Sequence, residues 1–159
     1  MAVEIAYIGL GSNLGASVAI LQAAFEALDR LPHTRLVARS SLYRSAPIDA
    51  AGPDFINAVA RLDTALEPRA LLTGLHAIEN AHGRDRPGPN APRTLDLDLL
   101  LHGDRRIDEP GLKVPHPRLG ERRFVLLPLL EIAPDACVTG TDTIASLLAR
   151  LGGQRISKL

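Results

Sequence analysis

Residues 95–102 read Leu95-Asp96-Leu97-Asp98-Leu99-Leu100-Leu101-His102. Apolar and acidic residues alternate with a period of two, which is the spacing of a strand. Leu95, Leu97, Leu99 and Leu101 are expected on one buried side, with Asp96 and Asp98 projecting from the other. Working outward, this strand is the sixth element of a series. Residues 3–10 (VEIAYIGL) are apolar, β-branched and aromatic, a buried strand closed by Gly11. Residues 15–31 read as a helix whose stripe is Val18, Leu21, Phe25 and Leu28; Leu31-Pro32 ends it. Residues 35–44 and 55–65 read as two further strands around a proline- and glycine-bearing loop. Pro68 suits the first turn of a second helix, with Leu71, Leu75, Ile78 and His82 on one side and Gly83 as its C-terminal cap.

The order β-α-β-β-α-β is that of a ferredoxin-like α+β core, an antiparallel sheet with helices packed on it. After it, His102-Gly103-Asp104-Arg105 resembles a hairpin turn into Arg106-Ile107, and residues 108–122 look irregular. Residues 123–133 read as a short helix with Pro128 near its start. Thr141 or Thr143 caps a last helix that ends at Gly152-Gly153, so a C-terminal helical extension is expected. The 159 residues fit a single domain spanning 1–159.

Composition excludes several classes of function. Formal net charge is zero, with 18 basic and 18 acidic residues, which argues against a general nucleic-acid binder. Aromatics are 3%, too few for stacking along a single strand of nucleic acid. Tyr7, Phe25 and Tyr43 occupy core-like positions, which leaves Phe55 and Phe124. The single cysteine, Cys137, excludes an internal disulfide framework and suits a reducing cytoplasm. The N-terminus lacks a signal-peptide profile, and no apolar run approaches a membrane span. The expectation is a cytoplasmic monomer with small-molecule partners, no nucleic acid and no membrane.

The chemistry concentrates around the acidic strand. Two carboxylates on one rigid face can hold a pair of Mg²⁺ ions; the same pattern also fits a half-exposed strand with its polar side in water. Arg84, Arg86 and Arg93 lie in the loop just before it, and guanidinium groups bind phosphate bidentately. His116, in Val114-Pro115-His116-Pro117-Arg118, precedes Arg122, Arg123 and Phe124; it suits a phosphate donor or an ordinary surface histidine. His102 is expected on the Asp96/Asp98 face. The amide of Asn57 offers one donor and one acceptor group to a heterocycle, or belongs to a turn. Gly9-Leu10-Gly11-Ser12-Asn13-Leu14-Gly15 has the spacing G-x-G-x-x-x-G, which is not the dinucleotide fingerprint.

Taken in order, these motifs resemble the 6-hydroxymethyl-7,8-dihydropterin pyrophosphokinase family of folate biosynthesis. The likeness runs through 6–14, Ser41-Leu42-Tyr43-Arg44, Pro53-Asp54-Phe55-Ile56-Asn57, Ile78-Glu79 and Gly83-Arg84. It continues through Pro92-Arg93-Thr94-Leu95-Asp96-Leu97-Asp98, Val114-Pro115-His116 and Pro128-Leu129-Leu130-Glu131-Ile132-Ala133-Pro134. The resemblance implies pyrophosphoryl transfer from MgATP to the pterin hydroxymethyl group, with release of AMP. It implies that Asp96 and Asp98 bind two Mg²⁺ ions and act in catalysis with Arg84 and Arg93. Arg84, Arg93, His116, Arg122 and Leu99 then contact ATP, and Ser45, Ile48, Phe55, Asn57 and Phe124 form the pterin pocket. The loops 45–54 and 84–94 are long enough to exclude water.

The chain departs from the family pattern in places. The 84–94 loop looks about one residue short and has Pro89-Asn90-Ala91 where tryptophan is familiar. His76 stands for a glutamine, Pro117 for an aromatic residue, and Gly111 and Lys113 for an arginine and a threonine. Two other readings are a non-catalytic module that binds a nucleotide or protein and a different metal-dependent phosphotransferase on the same fold.

Overall fold

The computed structural model describes residues 2–13, 16–46, 53–83, 95–139, 142–152 and 155–159. Chain order is β1 (Glu4–Ser12), α1 (Ser17–Asp29), β2 (Thr34–Arg39), β3 (Tyr43–Ser45), β4 (Phe55–Thr64), α2 (Pro68–Gly83) and β5 (Asp96–His102). Then come β6 (Ile107–Glu109), β7 (Leu112–Val114), a 3-10 turn (Leu119–Glu121), α3 (Arg123–Ile132), β8 (Cys137–Thr139), β9 (Asp142–Thr143), α4 (Ile144–Arg150) and β10 (Ile156–Lys158).

Among the described residues the main sheet has six strands in the order β10-β3-β4-β1-β5, with β2 also paired to β4. Its pairings are antiparallel throughout. Strand alternation sends Ala6, Ile8 and Leu10 to one face of β1, and Tyr7, Gly9 and Gly11 to the other. On the first face α1 and α2 bury Leu21, Phe25, Leu28, Leu71 and Leu75 against Ile8, Ala60 and Leu62. On the second, α3, α4 and the 3-10 turn bury Val125, Leu126, Leu129 and Ile144 against Tyr7, Val59 and Leu100. Mixed helix and antiparallel sheet are therefore as expected.

Several details differ from the sequence reading. The single strand expected over 35–44 is two, β2 and β3. Ser40 interrupts it by bonding both backbone groups of Val59: its N–H donates to the carbonyl, and its Oγ accepts from the N–H. Val18 is 41% exposed and off the core. At 100° per residue it lies roughly 70° from the centre of the buried stripe, and Ala24 takes the inner place. The turn at Gly103 forms, with Arg105 N–H donating to the His102 carbonyl at 3.1 Å. However, β6 pairs with β7 instead of β5. Between them, Glu109-Pro110-Gly111-Leu112 has proline before a glycine at φ +77°, the arrangement of a type II turn. That hairpin and the 3-10 turn replace the irregular stretch expected over 108–122. Pro128 sits inside α3, because the helix begins directly after extended Arg122. Thr143, not Thr141, caps α4: its Oγ1 accepts from Ser146 N–H, and Ser146 Oγ accepts from Thr143 N–H.

One irregularity decides what faces the site. The β1–β5 register runs Ile8↔Leu99 and then Tyr7↔Leu101, so Leu100 is an inserted bulge residue. Leu97 and Leu99 face α1 and α2, but Leu100 and Leu101 both join the α3/α4 cluster. His102 is thereby turned away from the Asp96/Asp98 face, against expectation. It is fully buried, with Nε2–H donating to the Leu66 carbonyl at 3.0 Å and Nδ1 3.6 Å from Glu4.

Candidate active site

The α3/α4 layer stops short of one end of the sheet, and one cavity opens there; a second opens at the β5 edge, between α2 and the β6–β7 hairpin. The first, of about 240 Å³, is floored by Gly9, Gly11 and Asn57 and walled by Ser45, Phe55, Phe124, Val125 and Arg122. The second, of about 320 Å³, is lined by His76, Glu79, Leu99, Leu112, Lys113, His116 and Pro117 among others. Asp96 and Asp98 line both. The carboxylate pair therefore stands on the wall between a mostly apolar, aromatic cavity and a polar one that holds Lys113, His76, His116 and Glu79.

Strand register explains the placement. Asp98 lies opposite Gly9, and Asp96 opposite Gly11. Gly11 is in turn opposite Asn57, and Gly9 opposite Val59. The glycines put no side chain between the acidic strand and the amide of Asn57. A Cβ at Gly11 would stand 3.3 Å from Asn57 Oδ1. Asn57 is 3% exposed inside β4, so it is not a turn asparagine; its Nδ2 donates to Ser45 Oγ at 2.6 Å. That bond fixes the amide's orientation and joins β3 to β4 at the pocket floor.

The edge of β5 is also held. Glu79 of α2, 7% exposed, accepts the Leu97 N–H at 2.8 Å. His116 N–H donates to the Leu100 carbonyl at 3.0 Å, just after the cis Val114–Pro115 bond. The strand carrying the two aspartates is thus gripped on either side of Asp98.

Among the described residues, two side chains face the Asp98 carboxylate. His116 Nε2 is 3.8 Å from Asp98 Oδ1, and Arg122 Nη1 is 3.7 Å from Oδ2. Both are ion-pair distances beyond hydrogen-bond reach. His116 Nδ1 accepts the Arg118 N–H at 3.1 Å, which leaves the ring proton on Nε2. Burial of the ring pushes His116 below its ordinary value of 6.5, Asp98 opposes that shift, and Arg122 and Arg118 add to it. The Arg122 guanidinium also lies 5.7 Å from the Phe124 ring centroid, capping one wall of the apolar cavity.

The structure therefore brings together Ser45, Phe55, Asn57, Asp96, Asp98, Leu99, His116, Arg122 and Phe124 around two adjoining cavities. Leu99 is 4% exposed, chiefly a core residue whose edge reaches the second cavity. Arg84, Arg93 and Ile48 lie outside the described residues, as does most of both loops. Gly9, Gly11 and Glu79 contribute in ways their sequence motifs do not state: the glycines clear the cavity floor. Glu79 carried a usable signal, because four residues after Leu75 it falls on the apolar stripe of α2, where a carboxylate needs a partner.

Residues 7–134 match the family described as 7,8-dihydro-6-hydroxymethylpterin-pyrophosphokinase. The chain is 48% identical over 154 residues to the 2-amino-4-hydroxy-6-hydroxymethyldihydropteridine pyrophosphokinase of Pseudomonas aeruginosa, covering 96% of this chain and 95% of that one. The Haemophilus influenzae protein of the same name is 43% identical, with 97% of each chain covered. Among solved structures, wild-type Plasmodium falciparum HPPK-DHPS with pterin and p-hydroxybenzoate shares the fold. There the TM-score is 0.73 at 16% identity, over 94% of this chain and 43% of that longer one. With most of its length matched by the family and near-complete overlap with these relatives, the chain belongs to the 7,8-dihydro-6-hydroxymethylpterin-pyrophosphokinase family.

Proposed function

We propose that this chain catalyses its family's reaction with one substrate in each cavity and the Asp96/Asp98 pair between them. The reaction is transfer of a pyrophosphoryl group from ATP to the hydroxymethyl oxygen of 6-hydroxymethyl-7,8-dihydropterin, a step of folate biosynthesis. The hydroxymethyl oxygen forms a bond to the β-phosphorus, the bond from that phosphorus to the α,β-bridging oxygen breaks, and AMP leaves. The observation that carries the reading is the shared wall: two carboxylates that line both an aromatic cavity and a polar one holding Lys113, His76 and His116.

Phe55 and Phe124 are apolar faces for a flat pterin, and Ser45 and Asn57 supply polar atoms for its edge. Ile48 is assigned to the same pocket. On the other side His116, with Arg84 and Arg93, supplies donors and positive charge for a polyphosphate, Arg122 adds charge from the first cavity's wall beside Asp98, and Leu99 packs beside the phosphates. The donor set fits Mg²⁺: two carboxylates on one strand face, oxygen ligands only, both half-buried at the cavity wall. Bound by Asp96 and Asp98, two Mg²⁺ ions would neutralise phosphate charge and acidify the attacking hydroxyl. The protein's own part is chiefly positioning, which suits phosphoryl chemistry.

The finer architectural reading is a ferredoxin-like core in a single domain with a C-terminal helical extension. The strand order β5-β1-β4-β2 and the two helices α1 and α2 on one face support it. A monomer in the cytoplasm, free of nucleic acid and membrane, completes the proposal. The exposed free Cys137 suits a reducing compartment, and no helix among the described residues is long and apolar enough to cross a membrane.

The deciding experiment is AMP formation from MgATP with and without 6-hydroxymethyl-7,8-dihydropterin. Pterin-dependent AMP is expected. AMP release that ignores the pterin, or none at all, would sink the reading, and other hydroxylated acceptors would then distinguish a different phosphotransferase from a binding module.

A further inference from the structure

Strand β3 is three residues long, too short for its own ladder bonds to fix its position firmly. Yet it supplies Ser45, 2% exposed, to the wall of the apolar cavity. The chain entering β3 is tied to α3 by one carboxylate. Glu131 Oε1 accepts the Tyr43 hydroxyl at 2.6 Å. Its Oε2 accepts the Ser41 N–H and the Ser41 hydroxyl, both at 3.0 Å. These bonds to the charged form hold Glu131 below the ordinary carboxylate range, although burial opposes it. Burial first, and then this carboxylate, push the Tyr43 phenol up to about 12, so it remains a donor at neutral pH.

The spacing of these residues matters. Tyr43 and Ser45 are two apart on a strand and share a face. Phe124 and Glu131 are seven apart on α3, two helical turns, and share a stripe. The Glu131–Tyr43 contact and the Phe124–Ser45 span are therefore successive rungs between the same two elements. They lie roughly 7 Å apart along β3 and roughly 10 Å apart along α3. One rung is closed by hydrogen bonds, and the other is the open cavity. On its outer edge β3 is backed by β10, whose Lys158 ammonium lies 5.9 Å from the Tyr43 ring centroid.

We infer that Glu131 is a positioning residue for the pterin pocket, a strut that sets the width between Phe124 and Ser45 by holding Tyr43 and Ser41 to α3. This rests on the pyrophosphokinase reading and extends it to a side chain that lines neither cavity. Glu131 touches no substrate, so its removal changes the geometry of one pocket and leaves the polyphosphate side alone.

The test compares Tyr43→Phe, Glu131→Ala and Glu131→Gln in steady state, with the KM for each substrate measured separately and folding checked by thermal melting. Tyr43→Phe and Glu131→Ala are each expected to raise the pterin KM about five- to tenfold, with the ATP KM within about twofold. Glu131→Gln keeps an acceptor and should recover part of the loss. The Tyr43→Phe/Glu131→Ala double variant should be no worse than the poorer single, because the bond lost in Tyr43→Phe is one of those lost in Glu131→Ala. An unchanged pterin KM in folded variants, a parallel rise in both KM values, or simple additivity would overturn the inference. If Glu131→Ala fails to fold, Tyr43→Phe, which removes one oxygen, still decides. A wild-type protein without pterin-dependent AMP would refute the proposed function itself; wild-type turnover with indifferent variants would refute only the strut.

Discussion

The two faces of the main sheet are built for different ends. Against α1 and α2, Leu21, Leu28, Leu62, Leu71 and Leu75 are fully buried, and the apolar layer runs the length of the sheet. Against α3 and α4 the cover is partial. It closes over Tyr7, Val59, Leu100 and Leu101 and then runs out, leaving Gly9, Gly11, Asn57, Asp96 and Asp98 to line the aromatic cavity. Because strand side chains alternate, β1 and β5 serve both purposes at once: Ile8 and Leu97 anchor the closed face while Gly9 and Asp98 form the open one. Stability and chemistry are thus separated by a single residue of register. The bulge at Leu100 ends the site, since beyond it the polar position is filled by leucine and His102 turns to the other side.

If the separation is real, substitutions on the open face cost activity and those on the closed face cost stability. Asp98→Ala has the largest expected effect, a loss of turnover of roughly 10³-fold or more, with the melting midpoint close to wild type. Near-normal turnover in a folded Asp98→Ala protein would remove the metal assignment. Phe25→Ala is its counterpart. The ring is 2% exposed between α1 and the sheet, so truncation should cost about 3–5 kcal/mol of stability. Denaturant unfolding measures that cost, and kcat per folded molecule should hardly change. A Phe25→Ala protein that is stable but catalytically poor would break the comparison from the other side.

The same division governs what the sequence disclosed. On the closed face, apolar spacing fixed the elements, because Leu71, Leu75 and Ile78 or Leu21, Phe25 and Leu28 have one place to go. The D-x-D pair was also legible, since alternation alone puts both carboxylates on one face. What stayed hidden was non-local. Ser40 splits a strand by reaching Val59, nineteen residues away. The Leu100 bulge flips His102 because β1 and β5 pair with a one-residue mismatch that no local pattern records. The Pro110-Gly111 hairpin, by contrast, has a local signal, proline followed by a glycine free to take positive φ.

Within the open face, the two floor glycines sharpen the picture further. A methyl group at Gly11 would meet Asn57 Oδ1 at 3.3 Å, and Asn57 is buried and bonded to Ser45. At Gly9 the nearest atom is Leu100 Cδ2 at 3.4 Å, the end of a flexible side chain. Gly11→Ala is therefore expected to weaken pterin binding about tenfold, and Gly9→Ala much less. Calorimetric titration with the pterin reads the difference, and equal effects would show that the floor does not depend on the Asn57 amide.

The smallest expected effect is a titration on the other side of the wall. Burial disfavours the imidazolium of His116, so its midpoint lies below the ordinary 6.5 in the free protein. The neutral ring is the form favoured on folding, so its contribution to stability is complete above about 6.5 and is lost as pH falls through the depressed folded value. The charges around it work in opposite directions: Asp98 raises the midpoint, while Arg122 and Arg118 lower it. Asp98→Asn should therefore shift the His116 midpoint further down, and Arg122→Gln should shift it up, both readable from imidazole resonances in an NMR titration. A downward shift in Arg122→Gln, or an upward one in Asp98→Asn, would mean that His116 does not share the electrostatic field of the carboxylate pair. The histidine would then belong to the neighbouring surface and not to the wall between the cavities.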